Sequence, residues 1–318
     1  MARTVLSTAG VRLALHELGG AGNPRKLLVA HATGFHGRAY APLASRLRGF
    51  HVWAPDLRGH GDSTRPDHGR FNWEGLADDV AAVVEAIVVA EPPPGVPTAP
   101  GQRATATRAS GSQPSLASQL YAFGHSMGAA VSLLAEARRP GTFRAIYAFE
   151  PIVIPPEIPR KAEERSVWVE GTRRRRRDFP SLAEAFANFR PKPPFADFTQ
   201  ESLHAYLEHG FHRLEGGALR IKMDPEDEAR MYHMSPQHPT WDHLPEIECP
   251  VVIASGKPEP MTPSGWTERI ASRLPNARVE VFEELGHMGP FEDPDRIAAA
   301  VERFFDQVEA GSGTAAET

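Results

Sequence analysis

The chain has 318 residues, of which 41% are hydrophobic and 24% charged. This composition is ordinary for a folded globular protein and excludes a disordered chain, a coiled coil and a collagen-like fibre. The net charge is −5, from 35 Lys and Arg against 40 Asp and Glu, so no overall basic field favours nucleic acid as a partner. A single cysteine excludes an intrachain disulfide framework and a cysteine-rich zinc site.

Two further features bear on location. No apolar run approaches the ~20 residues that a membrane-spanning helix needs. The amino terminus lacks the basic start and apolar core of a secretory signal. We therefore expect a cytoplasmic protein without a membrane partner.

Short apolar runs and helically spaced apolar residues alternate along the chain. The predicted strands lie at 4–7, 11–15, 27–30, 51–54, 120–123, 145–149, 251–254 and 279–282, and the predicted helices at 73–89, 127–138, 263–274 and about 294–308. Such alternation predicts an α/β fold with a doubly wound, mostly parallel sheet that is covered by helices on both faces.

Three segments depart from this alternation. Residues 91–118 are rich in Pro, Gly, Ser and Thr and poor in large apolar groups, which predicts a flexible insertion loop. Residues 155–245 contain many aromatic residues but no comparable strand, and we interpret them as an inserted helical cap, called the cap segment below. The core would then comprise residues 1–154 and 246–308, with a disordered tail over 309–318.

The sequence Gly-His-Ser-Met-Gly at 124–128 directly follows a predicted strand and leads into a predicted helix. A serine on such a tight turn exposes its oxygen, and glycines on both sides avoid clashes with the neighbouring strand and helix. The amide of Met127, at the helix amino terminus, is placed to stabilise an oxyanion. We predict Ser126 as a catalytic nucleophile.

A serine hydroxyl needs a base, because it is a weak nucleophile at neutral pH. His287 lies after the last predicted strand and before the last helix. Loops at the carboxyl ends of parallel strands carry active-site groups, so we predict His287 as the general base.

Four motifs occur in an order that resembles the α/β-hydrolase superfamily. They are His-Ala-Thr-Gly-Phe at 31–35, Asp-Leu-Arg-Gly-His-Gly-Asp-Ser at 56–63, the serine turn at 124–128 and Gly-His at 286–287. The resemblance covers about residues 1–150 and 246–308. It implies an eight-stranded sheet, a serine nucleophile and a cap of variable structure.

The resemblance also implies further site residues. The second oxyanion amide would come from Thr33, although Ala32 replaces the glycine that is usual before it. We expect His31, Phe35 and His125, which flank these groups, to contribute to the substrate-binding site.

Two residues are candidates for the acid that orients His287. The family usually places an acid after the seventh strand, where Glu259 stands in Gly-Lys-Pro-Glu-Pro. Some relatives, including haloalkane dehalogenases, take the acid from the end of the sixth strand, where Glu150 follows Phe149. Both alternatives remain open at this point.

A serine at this turn favours acyl transfer on an ester, thioester, lactone or related carbonyl compound through an acyl-enzyme. The alternatives are a cofactor-free carbon–carbon hydrolase or perhydrolase reaction on the same residues, and a ligand-binding protein with little turnover. The chain lacks a nucleotide fingerprint and metal-ligand spacing, so we predict no cofactor and no metal. The expected partner is a small carbonyl substrate, and the oligomeric state is not predicted.

Five consecutive arginines, at 173–177, lie in the cap segment. They are interpreted either as a solvated face paired with nearby acids, as an anchor for an anionic substrate, or as a nucleic-acid patch. Five successive helical residues point in different directions, which favours the solvated face.

Overall fold

The structure is a computed structural model that describes residues 2–90, 120–158, 169–234, 238–259 and 262–314. The loop predicted at 91–118 and the last four residues lie outside the described ranges.

The core is one eight-stranded sheet. Its strands are β1 (Arg3–Leu6), β2 (Arg12–Gly19), β3 (Lys26–Ala30), β4 (His51–Pro55), β5 (Leu120–His125), β6 (Ala145–Phe149), β10 (Val251–Ser255) and β11 (Ala277–Val281). The order is β1-β2-β4-β3-β5-β6-β10-β11, with β2 antiparallel to both of its neighbours and all other pairs parallel. The predicted mostly parallel sheet is confirmed.

Helices cover both faces of this sheet. They are α1 (Ala41–Ala44), α2 (Trp73–Ala90), α3 (Met127–Arg138), α7 (Thr240–His243), α8 (Thr267–Ala271), α9 (Gly289–Glu292) and α10 (Pro294–Thr314). The buried side of α2 carries Leu76, Val80 and Ile87, at helical spacing, and packs with α3 against one face. Ile297 and Val301 of α10 belong to the second apolar cluster, on the opposite face. Burial of these two apolar stripes positions the strand ends that carry the site.

The cap segment joins β6 to β10. Its elements are β7 (Asp178–Phe179), α4 (Leu182–Phe189), α5 (Gln200–His209), β8 (Phe211–Arg213), β9 (Leu219–Ile221) and α6 (Pro225–Met234). The three strands form an antiparallel sheet in the order β7-β9-β8. The prediction of a helical cap segment was therefore wrong in this respect, since the segment contains both helices and a small sheet. Strands of two or three residues are too short for a period-two pattern to reveal them.

The carboxyl-terminal helix is longer than predicted. Residues 309–314, predicted as a disordered tail, continue α10 to Thr314. Two contacts hold Glu309 of this last part: the hydroxyl of Tyr121 donates to its Oε1 at 2.6 Å, and Nε of Arg25 lies 3.2 Å from the same oxygen. Among the described residues, no helix combines the length and apolar character needed to cross a membrane.

Candidate active site

Ser126 lies between the end of β5 and the start of α3, with φ 55° and ψ −114°. Few non-glycine residues adopt such a conformation, and here the side chain makes no capping hydrogen bond to α3 and contacts His287. The turn requires a close approach of backbones: a Cβ at Gly128 would lie 2.1 Å from the carbonyl oxygen of Ala30 in β3. The glycine therefore lets the start of α3 pack directly against the neighbouring strand.

Three side chains from three strand ends meet at this turn. Nε2 of His287 lies 3.2 Å from Oγ of Ser126, and Nδ1 of the same ring lies 2.6 Å from Oε2 of Glu150. The imidazole thus lies between a hydroxyl and a carboxylate, which is the arrangement needed to accept a proton from the serine.

Glu150 and Glu259, the two candidate acids, lie in different environments. The carboxylate of Glu150 is buried, and besides contacting His287 it accepts a hydrogen bond at Oε1 from the amide of Gly256, at 2.9 Å. Glu259 is exposed, and its backbone amide donates a hydrogen bond to Oγ of Ser264. The structure therefore brings Glu150, and not Glu259, to the imidazole.

Met127 and Thr33, the predicted oxyanion residues, belong to adjacent turns. Met127 is the first residue of α3, so its amide has no acceptor within the helix. Thr33 follows β3, which pairs with β5 in parallel register, with Ala30 opposite Gly124. The loop that carries Thr33 is held by two hydrogen bonds: the amide of Gly34 donates to Nε2 of His60, at 3.2 Å, and that of Ala32 to the hydroxyl of Tyr40, at 3.1 Å.

His31 is completely buried and joins two loops. Its Nε2 accepts a hydrogen bond from the amide of Leu57, at 2.9 Å, and its Nδ1 lies 2.9 Å from the carbonyl oxygen of Ala32. Burial lowers its pKa to about 4, so the ring is neutral near pH 7. His31 connects the loops after β3 and β4 and does not line a described cavity.

His125 is also completely buried, and its ring contacts Tyr40 and the backbone of His287. Phe35 packs against Phe291 of the core and Tyr206 of the cap segment, with ring centroids 4.9 Å apart in both pairs. It also lines a small pocket together with Arg175. Of the three predicted substrate-binding residues, Phe35 is the one that borders a described cavity.

A cleft of about 560 Å³ opens beside His287. One basic residue, Lys257, lines it together with the acidic residues Glu150, Asp197, Glu259, Glu283, Glu284, Glu292 and Asp293. Burial raises the pKa of Glu292, whose Oε2 accepts a hydrogen bond from the amide of Gly286. The approach to the imidazole from this side is therefore predominantly acidic.

The arginine run at 173–177 is largely paired within the cap segment. Arg173, Arg175 and Arg177 contact Glu226, Glu228 and Asp224, respectively, at and just before the start of α6. The guanidinium of Arg176 lies over the ring of Phe179. These contacts agree with the interpretation of the run as a face paired with acids.

One group of possible metal ligands occurs within the described ranges. The ligand atoms of His16, Asp56 and Asp62 lie within 4.8 Å of one another. The carboxylate of Asp56 already accepts hydrogen bonds from the amides of Gly37 and Asp62 and contacts Nε2 of His16. Asp62 is paired with Lys222 at 2.6 Å. These partners occupy the oxygens that a metal would need, so the trio fits a structural role better than a metal site.

Comparisons with known proteins agree with this architecture. The model of the alpha/beta hydrolase family matches residues 27–300. Rhodomycin D methylesterase from Streptomyces sp. strain C5 is 34% identical over 77 residues, which are 24% of this chain and 26% of that enzyme. The matched part thus spans about a quarter of that relative.

Solved structures of similar shape include E-2-(acetamidomethylene)succinate hydrolase, with a TM-score of 0.71 and 20% identity over 96% of this chain and 99% of that one. A thioesterase domain from the curacin biosynthetic pathway has a TM-score of 0.67 and 18% identity over 95% and 99% of the two chains. At these identities the likeness concerns the fold.

Proposed function

Because the chain belongs to the alpha/beta hydrolase family, we propose that it is a serine hydrolase that cleaves an ester, thioester, lactone or related carbonyl substrate through an acyl-enzyme. The observation that carries this proposal is the Ser126–His287–Glu150 arrangement, with its contacts of 3.2 and 2.6 Å. The similarity of one segment to a methylesterase supports an ester among these substrates.

In the first half of the reaction, Oγ of Ser126 attacks the carbonyl carbon while Nε2 of His287 takes the hydroxyl proton. Glu150 accepts a hydrogen bond from Nδ1–H of His287, which fixes the tautomer that leaves Nε2 free to act as a base. The amides of Met127 and Thr33 stabilise the negative charge on the carbonyl oxygen. Removal of one such donor typically costs ~100–1000-fold in rate.

In the second half, the proton on Nε2 of His287 passes to the departing alcohol or thiol, which leaves the acyl group on Ser126. Water then attacks the acyl-enzyme while His287 removes a proton from it, and His287 returns this proton to Oγ of Ser126 as the acid product leaves. Every proton moves between substrate, water and these side chains, so the scheme uses no cofactor or metal.

The test is labelling of the protein with a fluorophosphonate, followed by intact mass and peptide mapping. We expect a single adduct on Ser126 that is absent in Ser126→Ala. Ser132→Ala is the matched control, because Ser132 is a buried serine of α3 whose Oγ donates to the carbonyl of Gly128 at 2.8 Å. If the folded wild type is not labelled, Ser126 is not an activated nucleophile and the proposal is wrong.

Product analysis then distinguishes the reaction classes that share these residues. With a panel of short acyl esters and thioesters, an acid plus an alcohol or thiol identifies acyl hydrolysis. Carbon–carbon cleavage of a diketone, or peracid formed in the presence of hydrogen peroxide, at rates exceeding ester hydrolysis would identify the alternatives. Stoichiometric binding without product would indicate a ligand-binding protein.

A further inference from the structure

A series of three buried hydrogen bonds, called the hydrogen-bond chain below, connects the loop that carries Thr33 to the loop that carries His287. The amide of Ala32 lies 3.1 Å from the hydroxyl of Tyr40, which lies 2.7 Å from Nδ1 of His125. Nε2 of His125 in turn lies 2.8 Å from the carbonyl oxygen of His287. Tyr40 and His125 are 1% and 0% exposed, so water does not compete for these contacts.

The donor and the acceptor of each bond in the hydrogen-bond chain can be assigned. The carbonyl of His287 can only accept, so His125 carries its proton on Nε2 and donates to that carbonyl. Nδ1 of the neutral ring then accepts from the hydroxyl of Tyr40, whose oxygen accepts from the amide of Ala32. Each polar atom has a partner when the imidazole is neutral, and burial lowers the pKa of His125 well below its ordinary value.

The two ends of the hydrogen-bond chain are backbone groups next to groups that the proposed reaction uses. Ala32 directly precedes Thr33, a proposed oxyanion donor, and the carbonyl belongs to His287, the proposed base. Catalytic groups must be held within ~0.5 Å of the productive geometry, and supporting hydrogen bonds are what hold them. A shift of about 1 Å at such a site can cost 100-fold in rate.

We propose that Tyr40 and His125 are positioning residues. They fix the distance and orientation between the loop that carries Thr33 and the loop that carries His287, on either side of Ser126. This role rests on the proposed serine hydrolase function. The hydrogen bonds of the two residues go to each other and to backbone atoms, so this role differs from the substrate-binding role predicted for His125. They act through the backbone of Ala32 and of His287.

The test uses Tyr40→Phe, His125→Leu and the double variant, assayed on an ester that the wild type hydrolyses. Loss of either link misplaces transition-state groups, so we expect kcat to fall by about 10–100-fold with KM changed less than about twofold. Because the two links form one chain, the double variant should be no slower than about the slower single variant. His125→Gln, which retains a donor toward the carbonyl, should recover part of the loss.

Tyr121→Phe is the matched control. Tyr121 lies at the other end of β5, and its hydroxyl donates to the side chain of Glu309. Removal of this hydroxyl is expected to leave kcat at the wild-type value. Multiplicative effects of the two single variants on kcat, or unchanged kcat in Tyr40→Phe, would overturn the proposal.

Hydrogen exchange tests the positioning role of Tyr40 and His125 separately from the serine hydrolase function, because exchange does not depend on activity. Backbone amide hydrogen exchange of peptides that cover residues 30–34 and 285–289 should become faster in Tyr40→Phe than in the wild type, at equal global stability. Unchanged exchange in both peptides would contradict the positioning role even if Ser126 proves to be activated. An unlabelled Ser126 with faster exchange would instead reject the hydrolase function and the catalytic role of the hydrogen-bond chain together.

Discussion

Oε2 of Glu150 lies 2.6 Å from Nδ1 of His287, although 137 positions separate the two residues in the chain. Glu150 follows β6, and its Oε1 accepts a hydrogen bond from the amide of Gly256, directly after β10. One carboxylate therefore joins three loops at the carboxyl edge of the sheet. Its two oxygens both serve as acceptors.

The first prediction separates the two candidate acids. A glutamine at position 150 has one acceptor in place of two, so either Nδ1–H of His287 or the amide of Gly256 must face an NH₂ group. We expect Glu150→Gln to lower kcat on the order of 10³–10⁴-fold, as loss of the imidazole-orienting carboxylate does in serine hydrolases. Steady-state kinetics and the rate of fluorophosphonate labelling measure the effect.

Glu259→Gln is the matched control, because Glu259 is exposed and lines the same cleft, whereas the carboxylate that contacts the imidazole is that of Glu150. Its kcat should stay within about threefold of the wild type, the scale of a surface substitution. The reverse ranking of the two variants would assign the acid to the loop after β10.

The places of Ser126 and His287 in the fold were predictable because each combines a local motif with a strand before it and a helix after it. Which carboxylate contacts His287 was not predictable, since Glu150 and Glu259 both follow a buried strand and sequence spacing carries no information on which carboxylate turns inward. What decides between them is a long-range contact, the amide of Gly256 against Oε1 of Glu150. The same limit applies to Tyr40, whose hydrogen bonds reach 8 and 85 positions along the chain.

Elements outside the core were harder to predict for a different reason. The cap strand β7 has two residues, which is a single period of the strand pattern and too short to show alternation. The extension of α10 over residues 309–314 depends in part on tertiary contacts to Glu309 from Tyr121 and Arg25, which sequence propensity does not contain.

The second prediction concerns the loop that carries Thr33. Gly34 has φ 79°, and a Cβ there would lie 2.5 Å from Oε1 of Glu228, a buried residue of the cap segment. We expect Gly34→Ala to displace the loop and lower kcat by about 10–100-fold, since Thr33, the proposed oxyanion donor, moves with it. Steady-state kinetics on an ester measures the loss.

Gly69→Ala is its control, because Gly69 has a similar φ of 67° but open space around the position of a Cβ. That variant should show the conformational cost of about 1–2 kcal/mol for alanine in a left-handed conformation, with unchanged kcat. Equal kcat values for the two alanine variants would show that the contact with Glu228 has no bearing on the loop.

The third prediction is an acid-dependent loss of stability. Burial lowers the pKa of His60 to about 3, and the neighbouring His31 adds to this effect. The unfolded chain binds protons near pH 6.5, and the folded chain does not bind them at these two rings until about pH 4 and below. Their contribution to the free energy of unfolding is therefore present above pH 6.5 and is lost as pH falls from about 6.5 toward 4 and 3.

Urea unfolding between pH 7 and pH 4.5 measures this slope. His60→Gln removes one of the rings and should make the slope shallower. His212→Gln, at an exposed position of β8, should leave the slope unchanged. A wild-type slope equal to that of His60→Gln would contradict the neutral, buried state of His60.

The fourth prediction tests the buried ion pair of the cap segment. Nη1 and Nη2 of Arg175 lie 2.6 and 2.9 Å from the two carboxylate oxygens of Glu228, whose side chain is 1% exposed. Replacement of one partner leaves the other charge buried without compensation, which costs about 3–5 kcal/mol. We expect Arg175→Met to lower the free energy of unfolding toward the lower end of that range, because a quarter of the Arg175 side chain reaches solvent.

The double variant Arg175→Met with Glu228→Leu removes both charges together and should recover most of the loss, since an apolar pair of similar volume is often as stable as a buried ion pair. The control is Asp178→Asn, which breaks the pair with Arg220 where both side chains are about half exposed. That change should cost no more than about 1 kcal/mol in urea unfolding. An Arg175→Met variant as stable as Asp178→Asn would mean that the buried pair contributes no more than an exposed one.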